Sequence, residues 1–219
     1  MATRALLAEL AASYSQRSGV PVQMESVGGV DAAKRVQAGE PFDVVVLASD
    51  AIDKLIASGA ALAGSRVDLV HSGVAVAVRA GTASPDISSE EAVRQAVLAA
   101  PTLAYSTGPS GVALAQLFER WGIAQTIASK IVTAPPGVPV GLLIAKGEVA
   151  LGFQQLSELI HLQGITVVGP LPPAIQITTT FSGAVCASST QPDAVRALLA
   201  DLQSPAAADA KTRQGMQAA

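Results

Sequence analysis

Asp31-Ala32-Ala33-Lys34-Arg35-Val36-Gln37-Ala38-Gly39-Glu40-Pro41-Phe42-Asp43-Val44-Val45-Val46-Leu47-Ala48-Ser49-Asp50 is the stretch whose reading decides the fold. Asp31 to Ala38 has the composition of a short helix, and Gly39 ends it. The unbroken apolar run Val44 to Ala48 then has the signature of a strand covered on both faces, the usual state of strands in parallel sheets. Asp50 to Ser58 follows as a second helix, with Ile52, Leu55 and Ile56 inward and Gly59 placed just past its end. Helix, buried strand and helix in direct succession are the grammar of an α/β protein.

The same alternation continues in both directions. Upstream, Leu7, Leu10, Ala11 and Tyr14 recur at helical spacing on one face, Gly19 stops that helix, and Val20 to Val27 has strand composition. Downstream, Val70 to Val78 reads as a strand, and Ser88-Ser89-Glu90-Glu91 reads as a capping box opening a helix to Ala100. Thr102 to Ser106 is a short strand, and Leu114, Leu117, Phe118 and Trp121 form a helical stripe. A helix over 138–146, a strand over 149–153, a short helix and a strand over 165–168 come next. A strand-like run from Ile175 to Ala187 precedes a last helix that opens at Pro192-Asp193. The tail after Pro205 is small and polar, and is expected to fray. The expected architecture is α/β, with mostly parallel sheets and helices on both faces. Val70–Val78 and Ile175–Ala187 are placed to act as two crossover strands between two lobes, residues 1–73 with 181–219 and residues 74–180.

Composition narrows the chemistry. The 219 residues are 50% apolar and 14% charged, which excludes a disordered chain. A net charge of −3 supplies no basic field for nucleic acid. No apolar run approaches the ~18 residues of a membrane span, so no membrane insertion is expected. One cysteine, Cys186, and two histidines leave no zinc-binding spacing, and neither metal nor cofactor is expected. The first residues carry Arg4 and Glu9 inside their apolar stretch and do not read as a secretory signal.

Three loops are prepared to hold an anion, since sites in such folds lie at the carboxyl ends of strands. Tyr105-Ser106-Thr107-Gly108-Pro109-Ser110-Gly111 joins a strand to a strong helix; Ser106, Thr107 and Ser110 supply hydroxyls, while Gly108 and Gly111 allow close approach. Unpaired N–H groups and the positive end of the helix dipole favour an oxyanion there; the plainer alternative is that Ser110 only caps the helix. Ser26-Val27-Gly28-Gly29-Val30-Asp31 has the same strand–glycine–helix logic, with Asp31 more naturally a first-turn residue than a base. Pro135-Pro136-Gly137-Val138-Pro139-Val140-Gly141 also opens a helix, without hydroxyls. His71 is a ligand contact or base, or simply a hydrogen-bonded structural histidine. His161 reads as a surface residue, Cys186 as a small core residue, and Gln154-Gln155 as polar residues at a strand end facing a cleft or loop.

The segment Asp31 to Asp50 resembles the first lobe of the type II periplasmic solute-binding proteins, and the molybdate-binding branch in particular. Ala145-Lys146-Gly147-Glu148-Val149-Ala150-Leu151-Gly152 resembles the helix, Gly-Glu and strand of their second lobe. The resemblance covers nearly the whole chain. It implies a two-lobed fold with two crossover strands, closing on a small anionic ligand. Its contacts would fall on Gly28, Gly29, Val30 and Asp31, on Ser49, on Ser106, Thr107, Ser110 and Gly111, on Val138 and on Gln155. It further implies an ABC transporter permease as partner if the protein is exported. The location is then periplasmic if a leader is removed and cytoplasmic otherwise. Oligomeric state stays open.

Two departures from that pattern matter. Gly28-Gly29 and Gln155 stand where molybdate binders often place serine and tyrosine, which suggests a larger ligand such as a di- or tricarboxylate. The same fold has a branch that includes aconitate-type isomerases, which move a double bond by a 1,3-proton shift. On that alternative Asp31 and His71 are the catalytic candidates. The second departure is at the start, where the family has a strand before its first helix. The expectation is a late start, or another segment filling that place in the sheet.

Overall fold

The computed structural model describes residues 1–134 and 138–219. The helices are α1 (Arg4–Ser18), α2 (Gly29–Gln37), α3 (Ser49–Ala57), α4 (Glu90–Ala99), α5 (Pro109–Arg120), α6 (Ala124–Ile127), α7 (Val140–Lys146), α8 (Leu156–Leu159), α9 (Pro192–Gln203) and α10 (Ala208–Arg213). The strands are β1 (Val44–Ala48), β2 (Val67–Arg79), β3 (Leu103–Tyr105), β4 (Leu151–Gln155), β5 (Ile165–Pro170), β6 (Thr178–Val185) and β7 (Met216–Ala218). The chain divides into two units, Met1–Ser72 with Thr179–Ala219, and Gly73–Thr178. It passes from one to the other inside β2 and returns at the start of β6.

In the first unit, β1 pairs with β6 from Val44↔Val185 to Ala48↔Phe181, and the first half of β2 pairs with β7. Alternation along β1 serves two cores. Val45 and Leu47 join Val36, Ile52 and Leu55, whereas Val44 and Val46 pack toward Leu6, Leu10, Leu198 and Leu199. α1 ends as its sequence requires, with Gly19 at φ 71° donating its N–H to Ser15 O. Each fully buried Leu of this core, such as Leu199, contributes about 1.5–3 kcal/mol.

In the second unit, β2 is flanked by β4 and β5, and β3 pairs with β4. Val74, Val76 and Val78 face the cluster of Val93, Leu114, Phe118 and Phe153, while Ala75 and Ala77 face that of Val140, Leu143 and Ile144. Ser89 caps α4, its Oγ accepting from Ala92 N at 3.1 Å. The third helical residue is therefore Ala92, and Glu91 stands outside a reciprocal box.

The α/β class stands, but the expectation of mostly parallel sheets is corrected. β1–β6 and the ladders of β2 with β4, β5 and β7 are antiparallel, whereas β3–β4 and the isolated bridge of Leu103 with Ile131 run parallel. The apolar runs reported two-sided burial correctly, as the split of β2 between two clusters demonstrates; burial does not encode strand direction. Val20–Val27 forms no strand. Val22 and Met24 are half-buried and Pro21, Gln23 and Glu25 exposed, so the alternation is real, but Val20 N and Val22 N donate to Ser18 Oγ and Ser15 Oγ instead of a ladder. The tail after Pro205 does not fray: it forms a 3-10 turn, α10 and β7. The small size of Ala207 and Ala210 lets it pack into the first-unit core together with Met216. No helix among the described residues is long and apolar enough to cross a membrane.

Candidate functional site

The hydroxyl-bearing turn lies in the second unit. β3 ends at Tyr105, Gly108 is the N-cap, and Pro109 is the first residue of α5. Gly111 is packed so closely that a Cβ there would lie 1.5 Å from Ser106 O, so glycine is required by space rather than by φ. That packing brings Ser106 Oγ to 3.0 Å from Ser110 Oγ. One hydroxyl proton is used between the two, which leaves one to offer outward. Pro109 has no N–H and Gly111 N–H is spent on Gly108 O at 3.0 Å, so the helix-start donors left among the described residues are Gly108 N–H and Ser110 N–H. Ser110 is buried, whereas Thr107 is exposed. The turn itself contains no cationic side chain.

Parallel pairing of Tyr105 with Phe153 places the end of β4 beside this turn. Gln154 and Gln155 are both buried, and strand alternation gives them different roles. Gly152 faces α7, where a Cβ would meet Ile144 Cδ1 at 2.5 Å, and Gln154 shares that face. Gln154 Oε1 accepts from Gly141 N at 3.4 Å and its Nε2 donates to Glu158 Oε2 at 2.8 Å. Gln155 instead shares the face of Phe153, whose ring meets Phe118 of α5 at 6.1 Å. Burial holds the Glu158 carboxyl above the usual glutamate range. Burial likewise raises the Tyr105 phenol. Val138 is half-buried against the Val140 and Ile144 cluster. The rest of its loop, Pro135 to Gly137, lies outside the described residues.

In the first unit, Gly28 is the N-cap of α2 at φ −58°, with Ala32 N bonded to its carbonyl at 2.9 Å. A Cβ on Gly28 would lie 3.4 Å from Asp31 Oδ2, and one on Gly29 3.7 Å from Leu47 Cδ2. Neither glycine is demanded by backbone angle or by packing. Val30 and Asp31 are exposed in the first turn, and Ser49 opens α3 directly after β1. His71 is half-buried, with Nδ1 at 3.0 Å from Thr180 Oγ1. Among the described residues no hydrogen bond joins Asp31 to His71. A depression of about 410 Å³ lined by Gln37, Gly39, Ser58 and Gly59 sits at the carboxyl ends of α2 and α3, the negative end of each dipole, and is the wrong place for an anion. Cys186 is buried and its thiol is pushed up to about 11, first by burial and then by Asp43. His161 is exposed.

The sequence reading did not single out Glu158. Its signal was the spacing Gln154-Gln155-Leu156-Ser157-Glu158, which returns a carboxylate to the strand end within one helical turn. It also missed Lys211, buried in α10 with no hydrogen-bond partner for its Nζ among the described residues.

A fold of two α/β units with neutral donors at strand ends is compatible with a solute-binding type of protein. Comparison makes the class specific: the model of the bacterial extracellular solute-binding protein family matches residues 1–217, and the chain belongs to that family. An aconitate isomerase from Pseudomonas sp. is 41% identical over 215 residues, covering 95% of this chain and 82% of that protein. The periplasmic molybdate-binding protein of Azotobacter vinelandii superposes with a TM-score of 0.80 at 20% identity, covering 98% and 94% of the two chains. A periplasmic thiamin-binding protein superposes with a TM-score of 0.76 at 16% identity, covering 98% and 79%. One scaffold thus serves unlike solutes, and the fold alone does not name this one.

Proposed function

We propose that this protein captures a small anion of the oxyanion or di/tricarboxylate class, and that a tricarboxylate is the better fit. The observation that carries the reading is the paired Ser106 and Ser110 hydroxyls at the N-terminus of α5, in a turn without lysine or arginine. Such donors suit an anion that must be held and released. A micromolar site needs about 8 kcal/mol, and hydrogen bonds to a charged group contribute about 1.5–3 kcal/mol each. Four or five good donors therefore suffice before ordering costs. Gly28, Gly29, Val30 and Ser49 offer the first unit's helix starts for the same chemistry, while Thr107, Gly111, Val138 and Gln155 complete the second unit's set. The 41% identity to an aconitate isomerase supports the tricarboxylate over molybdate.

That identity also favours a second reading, an isomerase of an aconitate-like acid on the same scaffold. A thermal-shift panel of molybdate, tungstate, sulfate, phosphate, citrate and both aconitates tests the first reading. A ligand at 100 times its Kd stabilises by about 2.7 kcal/mol. Stabilisation by molybdate alone refutes the tricarboxylate. NMR of each aconitate with the protein tests the second reading, and the absence of conversion refutes it. A periplasmic location and a transporter permease as partner accord with family membership and belong to the first reading.

A further inference from the structure

We propose that Glu158 is the proton-transferring group of the isomerase reading, on which this inference rests. A 1,3-proton shift needs one group within reach of a carbon acid that is basic enough to take its proton and acidic enough to return it. The two residues singled out by the sequence are poorly placed for this. Asp31 stands exposed in the first turn of α2, and His71 has its Nδ1 engaged by Thr180.

Glu158 brings three properties together. It occupies the first turn of α8, three residues after Gln155, at the edge of the second unit where parallel β3 and β4 both end. Its carboxyl is fixed: Gln154 donates to Oε2 at 2.8 Å, and the orientation of that amide is set by Gly141 N–H on its other end. It is also half-buried, and burial raises its proton affinity. An independent observation falls on the same turn. Ser157 Oγ is buried with no hydrogen-bond partner among the described residues, a polar atom for which the protein supplies no partner.

The step balances on the substrate alone. The Glu158 carboxylate takes a proton from the methylene carbon of the tricarboxylate. The C–H electron pair becomes the new double bond, and the old double-bond pair moves to the far allylic carbon, where the neighbouring carboxylate delocalises it. The Glu158 carboxylic acid then returns the proton to that carbon. No oxidant, reductant or second reactant enters.

The test uses the full chain with trans-aconitate as probe, reading turnover by NMR and binding by calorimetry. E158Q keeps an oxygen to accept from Gln154 and removes the base. It is expected to bind within about threefold of wild type while turnover falls by at least about 100-fold. E158D, folded if E158Q is not, retains an acid withdrawn by one methylene and should lower kcat with KM little changed. Wild-type turnover retained in E158Q, or abolished by D31N or H71Q with E158Q active, overturns the assignment and leaves the isomerase reading standing. Equal loss of binding and turnover in E158Q also overturns it, reducing Glu158 to a positioning role. A wild-type protein that binds trans-aconitate without converting it overturns the isomerase reading and the assignment together.

Discussion

Gly111→Ala is the perturbation on which the description of the donor turn depends most directly. A Cβ at residue 111 would stand 1.5 Å from Ser106 O and 2.6 Å from Ser106 C, both backbone atoms that no rotamer change can remove. Restoring a contact of about 3.0 Å requires the turn to open by about 1.5 Å, more than the 3.0 Å Ser106–Ser110 hydroxyl bond can absorb. Forced overpacking costs about 1–3 kcal/mol, and the lost hydrogen bond adds about 1 kcal/mol. The expected destabilisation is about 2–4 kcal/mol, or roughly 4 to 16 °C in melting temperature for a chain of this size. Gly108→Ala is the internal control, since φ −80° with ψ −170° suits alanine and the nearest atom, Ser106 Oγ, would be 3.9 Å away. Its cost stays under about 1 kcal/mol, the scale of an N-cap replacement. Thermal melts of both variants, followed by calorimetric titration with trans-aconitate, read stability and donor geometry separately. A G111A protein that melts within about 2 °C of wild type and binds as tightly would refute the close approach of α5 to Ser106, and with it the geometric basis of the hydroxyl pair.

Three further outcomes are expected. Gly29→Ala, which meets Leu47 Cδ2 only at 3.7 Å, should leave the melting temperature nearly unchanged yet weaken ligand binding if this helix start approaches the anion; an unchanged Kd refutes that role. Lys211→Met should raise stability to urea by about 1–3 kcal/mol, the cost of an unsatisfied buried polar group. Burial lowers the Lys211 pKa, so the unfolded chain binds the extra proton; wild type should lose stability relative to the variant as pH falls from above the ordinary lysine range through the folded pKa, and a gap independent of pH refutes this. Cys186, fully buried with its thiol near 11, should resist alkylation at pH 8 in the native protein and react on unfolding, as mass spectrometry would show; native labelling at the unfolded rate contradicts its burial.

What the sequence made legible is what local patterns encode. Helical spacing located α1, α3 and α5, and glycine placed the ends of α1 and α3, because those signals depend on a few neighbouring residues. Two-sided burial of β1 and β2 was readable for the same reason, and it fell short where direction mattered. Val74 and Ala75 report two covering layers whichever way the partner strand runs. Val20 to Val27 shows the converse limit, since alternation describes which side chains turn inward and carries no information about a hydrogen-bonded neighbour. Composition misled at the tail, where alanines that look solvent-facing are small enough to dock α10 against the first-unit core. At the site, the glycines of the two turns look equivalent in sequence but differ in kind. Gly111 is compelled by a backbone atom across the turn, while Gly28 and Gly29 have room for a side chain that the sequence declines to place there. Glu158 was hidden because its proton affinity depends on burial and on Gln154 being held by Gly141, contacts that join three elements.

Charge accounting explains why neutral donors carry the proposed capture. Arg17, Arg35, Arg66, Arg94, Arg120, Arg196 and Arg213 each form an ion pair with an aspartate or glutamate within their own unit. Exposed pairs of this kind add little to stability, typically below about 1 kcal/mol each, but they turn the guanidinium groups toward the protein's own acids. Arg35 is the strongest case, held by Glu25 and Glu40 while lying 4.8 Å over the Phe42 ring at the far end of the helix that begins at Gly29. An anion meeting the turns at Gly28 or Ser106 therefore meets N–H and O–H dipoles, whose number and direction select for shape rather than for charge alone.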